Sequence, residues 1–245
     1  MKRPVCGEPA KEGRSIAWPI CDPDGLELVH TPYPDPPPWA RAEPEIRAAW
    51  ERMCAQNPRL FAGPVVSVRA FEPASGRFEL AEATYRELVV QPGIPTGVHQ
   101  LAVIAMVVDD EGRVLAGKRG KSVHRYPGLW EIGPAGGVDP PSEGTPTMAH
   151  ILDELGRECE EEMGLSVDVS MAEAAAVVLD KDAFSFDIVF RVPMTAMRAR
   201  EGSVWEYQRV GWLTPERCLR LGSAEGRGMI GASLATLRCL GWLPG

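Results

Sequence analysis

No stretch of this chain approaches the roughly 20 consecutive apolar residues that span a bilayer, which excludes a helical membrane protein. The opening MKRPVCGEPAKEGRS lacks the apolar core of a signal peptide, so the cytoplasm is the expected compartment. A surplus of positive charge is also missing. Against 26 Lys and Arg stand 34 Asp and Glu, a net charge of -8, which argues against a nucleic-acid binder because phosphate backbones are held by clustered cations. An anionic substrate would need a local basic pocket or a metal ion. The 6 cysteines show no CxxC or CxxH pairing and read as mostly reduced, small apolar fillers. The 4 histidines are scattered, without the spacing of a zinc site. There is no GxSxG elbow. GKRGKS fails as a phosphate-binding loop, because Leu115 stands where the first glycine belongs. Internal repeats and a long βαβ alternation are absent too, which sets aside solenoids and doubly wound folds.

What is present suits a globular chain of 245 residues, 44% hydrophobic, with 7 Trp. Residues 1–40 are rich in Pro, with TPYPDPPPW as the extreme, and are expected to run extended over the surface without regular structure. In EPEIRAAWERMCAQNPRLF, Ile46, Trp50 and Met53 recur at helical spacing and Asn57-Pro58 ends the run. PVVSVRAFE and RFELAEATY, divided by the turn PASG, read as a hairpin. HQLAVIAMVVDDEGRVLAGKRG repeats the pattern with a more apolar first strand. Further strands are expected in VDVSMAEAAAVVLD, FSFDIVFRVPM and WEYQRVGWL, and a helix around MIGASLATLRCLGW. The division expected is an N-terminal arm with a helix and hairpin over 1–95, then one α/β domain with a mixed sheet over 96–245.

The most informative stretch is DELGRECEEEMGL. A helix over about Thr147 to Met163 puts Met148, Ile151, Leu152, Leu155 and Cys159 on one face. It also gathers Glu154, Glu158, Glu161 and Glu162 on another. Partly buried carboxylates about 6 Å apart repel by roughly 3 kcal/mol at an effective dielectric near 20. A divalent cation removes that penalty, and Mg²⁺ commonly joins one or two carboxylates to substrate phosphates. A solvated acidic helix face is the alternative reading of such a run.

From Gly137 the pattern runs G-x5-E to Glu143 and then, after a gap, R-E-U-x-E-E-x-G-U through Arg157, Glu158, Cys159, Glu161, Glu162, Gly164 and Leu165, where U is a bulky apolar residue. This resembles the Nudix box of the Nudix hydrolase superfamily. Seven residues normally separate the first glutamate from the arginine; here Gly144 to Gly156 intervene, and counting back from the helix side puts Ala149 where that glutamate belongs. Glu143 is therefore weakly placed, whereas Arg157 to Leu165 match without a break.

The resemblance implies an α/β/α sandwich with a mixed sheet, preceded here by the N-terminal helix and hairpin. By position, Glu158, Glu161 and Glu162 match the metal-binding catalytic glutamates, with Mg²⁺ or Mn²⁺ as cofactor, and Arg157 the residue that orients a box glutamate. Gly164 would turn the chain out of the helix, and Gly136 and Gly137 would let backbone approach metal or phosphate. An acid outside the box is expected to act as ligand or general base: Glu206 is the first candidate, with Asp182 and Asp187 as rivals. Among Lys118, Arg119, Lys121 and Arg125, just before the box, Arg119 and Arg125 are the expected phosphate contacts.

The superfamily mostly hydrolyses a nucleoside diphosphate linked to another moiety. Residues 43–88 are similar to the extension of the UDP-glucose pyrophosphatase branch, which implies a nucleotide-sugar substrate cut to a nucleoside monophosphate and a sugar phosphate. Two alternatives stay open: a Nudix-fold binding or regulatory module without turnover, and a hydrolase of prenyl diphosphates. Trp18, Trp39, Trp130 and Trp205 are the aromatic candidates for stacking a base. Family members are often dimers, and the N-terminal hairpin offers a pairing surface for a homodimer; the oligomeric state stays open.

Overall fold

A computed structural model describes residues 8–199, 207–223 and 228–244. Its strands are β1 Ala10–Glu12, β2 Ser15–Pro19, β3 Glu27–His30, β4 Pro64–Glu72, β5 Arg77–Thr84, β6 Gln100–Val108 and β7 Val114–Arg119. They continue with β8 Trp130–Ile132, β9 Ala135–Gly137, β10 Leu165–Val167, β11 Glu173–Asp180, β12 Ser185–Pro193, β13 Met197–Ala199 and β14 Tyr207–Leu213. The α-helices are α1 Glu43–Gln56, α2 Tyr85–Val90, α3 Met148–Met163, α4 Pro215–Gly222 and α5 Gly231–Cys239.

The apolar run of β6 organises the molecule. It lies between β12, which it pairs in parallel from Ser185↔Gln100 to Pro193↔Val108, and the antiparallel β9 and β4. The sheet continues from β12 through the antiparallel β11 to β2 and β1, and from β4 through β5 to β3. Strand alternation sends Leu101, Val103, Ala105 and Val107 of β6 into one core with Ile151, Leu155 and Cys159 of α3. Ile104 and Met106 enter a second core with Leu234, Ala235 and Leu237 of α5. A helix thus covers each face of a mixed sheet, the α/β/α sandwich. Among the described residues, no helix is long and apolar enough to cross a membrane.

The N-terminal arm departs from the expectation of an irregular surface segment. Ser15–Pro19 pairs with β11 from Asp180↔Ser15 to Ala176↔Pro19, and Ala17 is fully buried. The short apolar run Ile16-Ala17-Trp18, with Ser15 and Ala17 turned inward, supplies a strand that the surrounding prolines obscured. Two short helices were likewise not anticipated. α2 starts at a capping box, in which Thr84 and Glu87 satisfy each other's end of the turn, and α4 follows an N-cap in which Thr214 Oγ1 accepts from Arg217 N. Cys54, Cys159, Cys218 and Cys239 are free, as expected of fillers, and burial first, then Glu162 and Glu158, pushes the Cys159 thiol up to about 12. Cys21 is disulfide-bonded, a departure from the reduced reading.

The N-terminal extension is built onto the same sheet. β4 meets β6 at Ser67↔Gln100, and Val68 N donates to His99 O at 2.7 Å. Arg86 of α2 grips Glu43 of α1 with both terminal nitrogens, at 3.0 and 3.1 Å. That fork fixes the end of α1 relative to α2.

Candidate active site

α3 is set in place by its sequence at both ends. Thr147 Oγ1 caps its start by accepting from His150 N at 3.2 Å. Gly164 ends it in the left-handed region at φ 62, where a Cβ would be strained. With Ile151, Leu155 and Cys159 buried against the sheet, Glu158 and Glu162 are drawn down to 8% and 5% exposure, while Glu161 stays exposed. The acidic run is therefore not simply a solvated helix face.

Arg157 gathers the acids. Its guanidinium lies 2.6 Å from Glu154, 2.8 Å from Glu158, 3.0 Å from Glu161 and 3.6 Å from Asp139. Burial works against its charge, but the Glu154, Glu158 and Glu161 carboxylates outweigh it and raise its pKa. Arg157 touches Glu158 and Glu161 directly, the geometry of a residue that orients carboxylates. Gly136 permits the close approach of Glu158: a Cβ there would collide with the Glu158 carboxylate. Across the helix, Glu162 Oε2 accepts from Ala135 N at 2.8 Å and lies 3.0 Å from the Tyr207 hydroxyl.

Beside these groups lies a cavity of about 940 Å³. Glu158, Glu161, Glu162, Asp139 and Arg157 make one wall, and Gln100, Ala102, Ile104, Gly136 and Gly137 contribute to the floor. Arg119 and Arg125 also line it, with Arg119 bonded to Glu131 and to the Arg125 carbonyl, and Arg125 donating to Asp182 O at 3.1 Å. Asn57, Arg59 and Tyr85 bring the N-terminal extension into the same cavity. Among the described residues no three His, Cys, Asp or Glu side chains are preassembled as a metal cage. An oxygen donor set of one or two carboxylates, completed by water and phosphate, still suits Mg²⁺ or Mn²⁺, and Glu158 and Glu162 supply it at the cavity wall.

The structure separates the remaining sequence candidates. Glu143 is exposed on the loop before α3 and does not line the cavity, whereas Asp139, passed over in the sequence, does. Asp139 is placed by its own backbone: its carbonyl meets His150 Nε2 at 2.8 Å and its N–H donates to Glu154 at 3.4 Å. Asp182 pairs with Arg14 at 3.3 Å and is half exposed, away from the cavity lining. Asp187 reaches the cavity from β12 and is 8% exposed. Burial, reinforced by Asp180, pushes its carboxyl up to about 7, against the opposing Ser185 hydrogen bond. Glu206 and Trp205 lie outside the described residues. Trp18, Trp39 and Trp130 do not line the cavity; Tyr85, Tyr126 and His124 do. Trp18 packs on Phe71, Trp39 on Tyr33, and Trp130 is in the core. Tyr207 is a contributor that sequence reading missed, because only the register Tyr207↔Arg119 reveals that it faces the box.

A family model described as NUDIX domain matches residues 98–227, more than half of the 245-residue chain. No curated protein matches the sequence. Solved structures similar to this chain include the MutT protein from Methanosarcina mazei, 17% identical over 58% of this chain and 92% of that one, with a TM-score of 0.37. The DR0079 protein of Deinococcus radiodurans is 17% identical over 72% of this chain and 98% of its own, with a TM-score of 0.45. A NUDIX hydrolase from Nitrosomonas europaea is 14% identical over 58% and 87%, with a TM-score of 0.39. On the match of the family model, which takes in the glycine strand, α3 and its acids, this chain belongs to the Nudix family of hydrolases.

Proposed function

We propose that this Nudix hydrolase cleaves a nucleoside diphosphate linked to a second moiety, specifically a nucleotide sugar, to a nucleoside monophosphate and a sugar phosphate, with Mg²⁺ or Mn²⁺ as cofactor. The observation that carries the reading is one cavity of about 940 Å³ lined by the box acids Glu158, Glu161 and Glu162, by Arg119 and Arg125, and by Asn57, Arg59 and Tyr85 of the extension. Pockets of this size hold ligands larger than a bare diphosphate. The similarity of residues 43–88 to the UDP-glucose pyrophosphatase extension supports a sugar nucleotide over other linked moieties.

In the reaction a water oxygen joins one phosphorus, the bridging oxygen leaves with the other phosphate, and the water protons pass to the site and solvent. The cation, when bound, supplies charge neutralisation at the phosphate oxygens and lowers the pKa of water. Glu158, Glu161 and Glu162 would hold it, and Arg157 fixes the first two of these in place. Arg125 offers a cation to the phosphates, and Gly136 and Gly137 keep the floor open. The test is product analysis by mass spectrometry with Mg²⁺ and UDP-sugars, ADP-sugars, ADP-ribose, dinucleoside polyphosphates, NADH, CoA and prenyl diphosphates. Release of a nucleoside monophosphate and sugar phosphate is the expected result. Tight nucleotide binding without cleavage of any substrate would favour a binding module instead, and cleavage of prenyl diphosphates alone would replace the substrate class.

A further inference from the structure

Beyond the box, the buried phenol of Tyr207 bridges two strands and a helix. It is 5% exposed, and its hydroxyl oxygen lies 2.8 Å from Glu131 Oε1 and 3.0 Å from Glu162 Oε2. Space for the ring comes from Gly117 on the neighbouring β7, where a Cβ would collide with the ring carbons. The Arg119 guanidinium completes the array by donating to the same Glu131 Oε1. Arg119, Glu131, Tyr207 and Glu162 thus form a continuous chain from the cavity's cationic side to its acid wall.

A phenol has one proton and meets two carboxylates here, so it donates to one at a time. The shorter approach is to Glu131 Oε1, the oxygen that also accepts from the Arg119 guanidinium. Glu162 Oε2 also accepts from Ala135 N at 2.8 Å. We propose that Tyr207 is a positioning residue: its hydroxyl, held between Glu131 Oε1 and Glu162 Oε2, limits the direction in which the Glu162 carboxylate faces the cavity. The Arg119–Glu131 pair serves as its anchor. This assignment rests on the proposed metal role of Glu162.

The test compares wild type with Tyr207→Phe and Gly117→Ala, the second of which keeps the hydroxyl but pushes the ring aside. Mn²⁺ binding is followed by electron paramagnetic resonance, and turnover of the substrate found for wild type is followed in parallel. Thermal unfolding shows that each variant is folded. A lost hydrogen bond to a charged group predicts a kcat lower by roughly 10-fold or more with KM little changed, together with Mn²⁺ affinity weaker by several-fold. If one variant does not fold, the other carries the comparison. Wild-type Mn²⁺ affinity and wild-type kcat in a folded variant would overturn the positioning role. Absence of hydrolysis by wild type on every substrate would instead count against the proposed function, leaving the Mn²⁺ comparison to decide the role of Tyr207.

Discussion

Replacing Asp187 with Asn should make the folded protein more stable, by an amount that grows with pH. The carboxyl is 8% exposed beside Asp180, its pKa is pushed from the ordinary 3.8 to about 7, and Asn can keep the hydrogen bond with Ser185. The folded state therefore holds a proton that the unfolded chain has released, and wild-type stability falls as pH rises between those values. Above the folded pKa the full cost of the buried charge is present; below the unfolded pKa it vanishes. A shift of about three units corresponds to roughly 4 kcal/mol at 1.36 kcal/mol per unit, an upper bound since the site can relax or admit water. Urea unfolding of wild type and Asp187→Asn at pH 5, 6, 7, 8 and 9 gives the difference directly. It should widen by roughly 1 kcal/mol per unit from pH 5 to pH 7 and then level off. A difference constant across that range would refute a buried carboxyl titrating near neutrality.

Other changes separate site geometry from stability. Gly136→Ala should displace the Glu158 carboxylate and lower kcat by on the order of 10-fold or more while far-UV circular dichroism stays native, because the added methyl meets a side chain and not the sheet. Gly164→Ala should cost about 1 kcal/mol in denaturant unfolding, since φ 62 disfavours a Cβ, yet leave KM intact. Leu155→Ala should cost about 2–5 kcal/mol, as it opens a cavity between α3 and the sheet where Leu155 is fully buried. An unchanged urea midpoint for the last would contradict the packing described here.

The parts of this protein that sequence made legible are those where a single local period decides the outcome. Ile151, Leu155 and Cys159 repeat at helical spacing, so the sequence alone places α3 and its acids. The apolar run of Gln100–Val108 likewise announced a central strand, though only the parallel pairing with β12 showed that both of its faces are covered. What escaped was set by register and turns. Asp182 and Asp187 look equivalent in the sequence, but one falls in the turn after β11 and the other on β12 facing the cavity. Asp139 lies beside Arg157, while the loop before α3 carries Glu143 outward into solvent. Asn57, Arg59 and Tyr85 join the site through the packing of α1 and α2, distant in sequence from the box. Compositional bias toward Pro hid the strand Ser15–Pro19, whose apolar run is only a few residues long.

The central claim, that the acids of α3 hydrolyse a diphosphate with the help of a divalent cation, is tested most directly with Glu162→Gln. This change keeps the size of the side chain and an oxygen able to accept from Ala135 N, but removes the charge. On the substrate cleaved by wild type in Mg²⁺, the account predicts a loss of about 100-fold or more in kcat, with thermal unfolding within a few degrees of wild type and wild-type turnover abolished by a chelator and restored by Mg²⁺. Wild-type turnover by Glu162→Gln, or hydrolysis indifferent to the chelator, would contradict it.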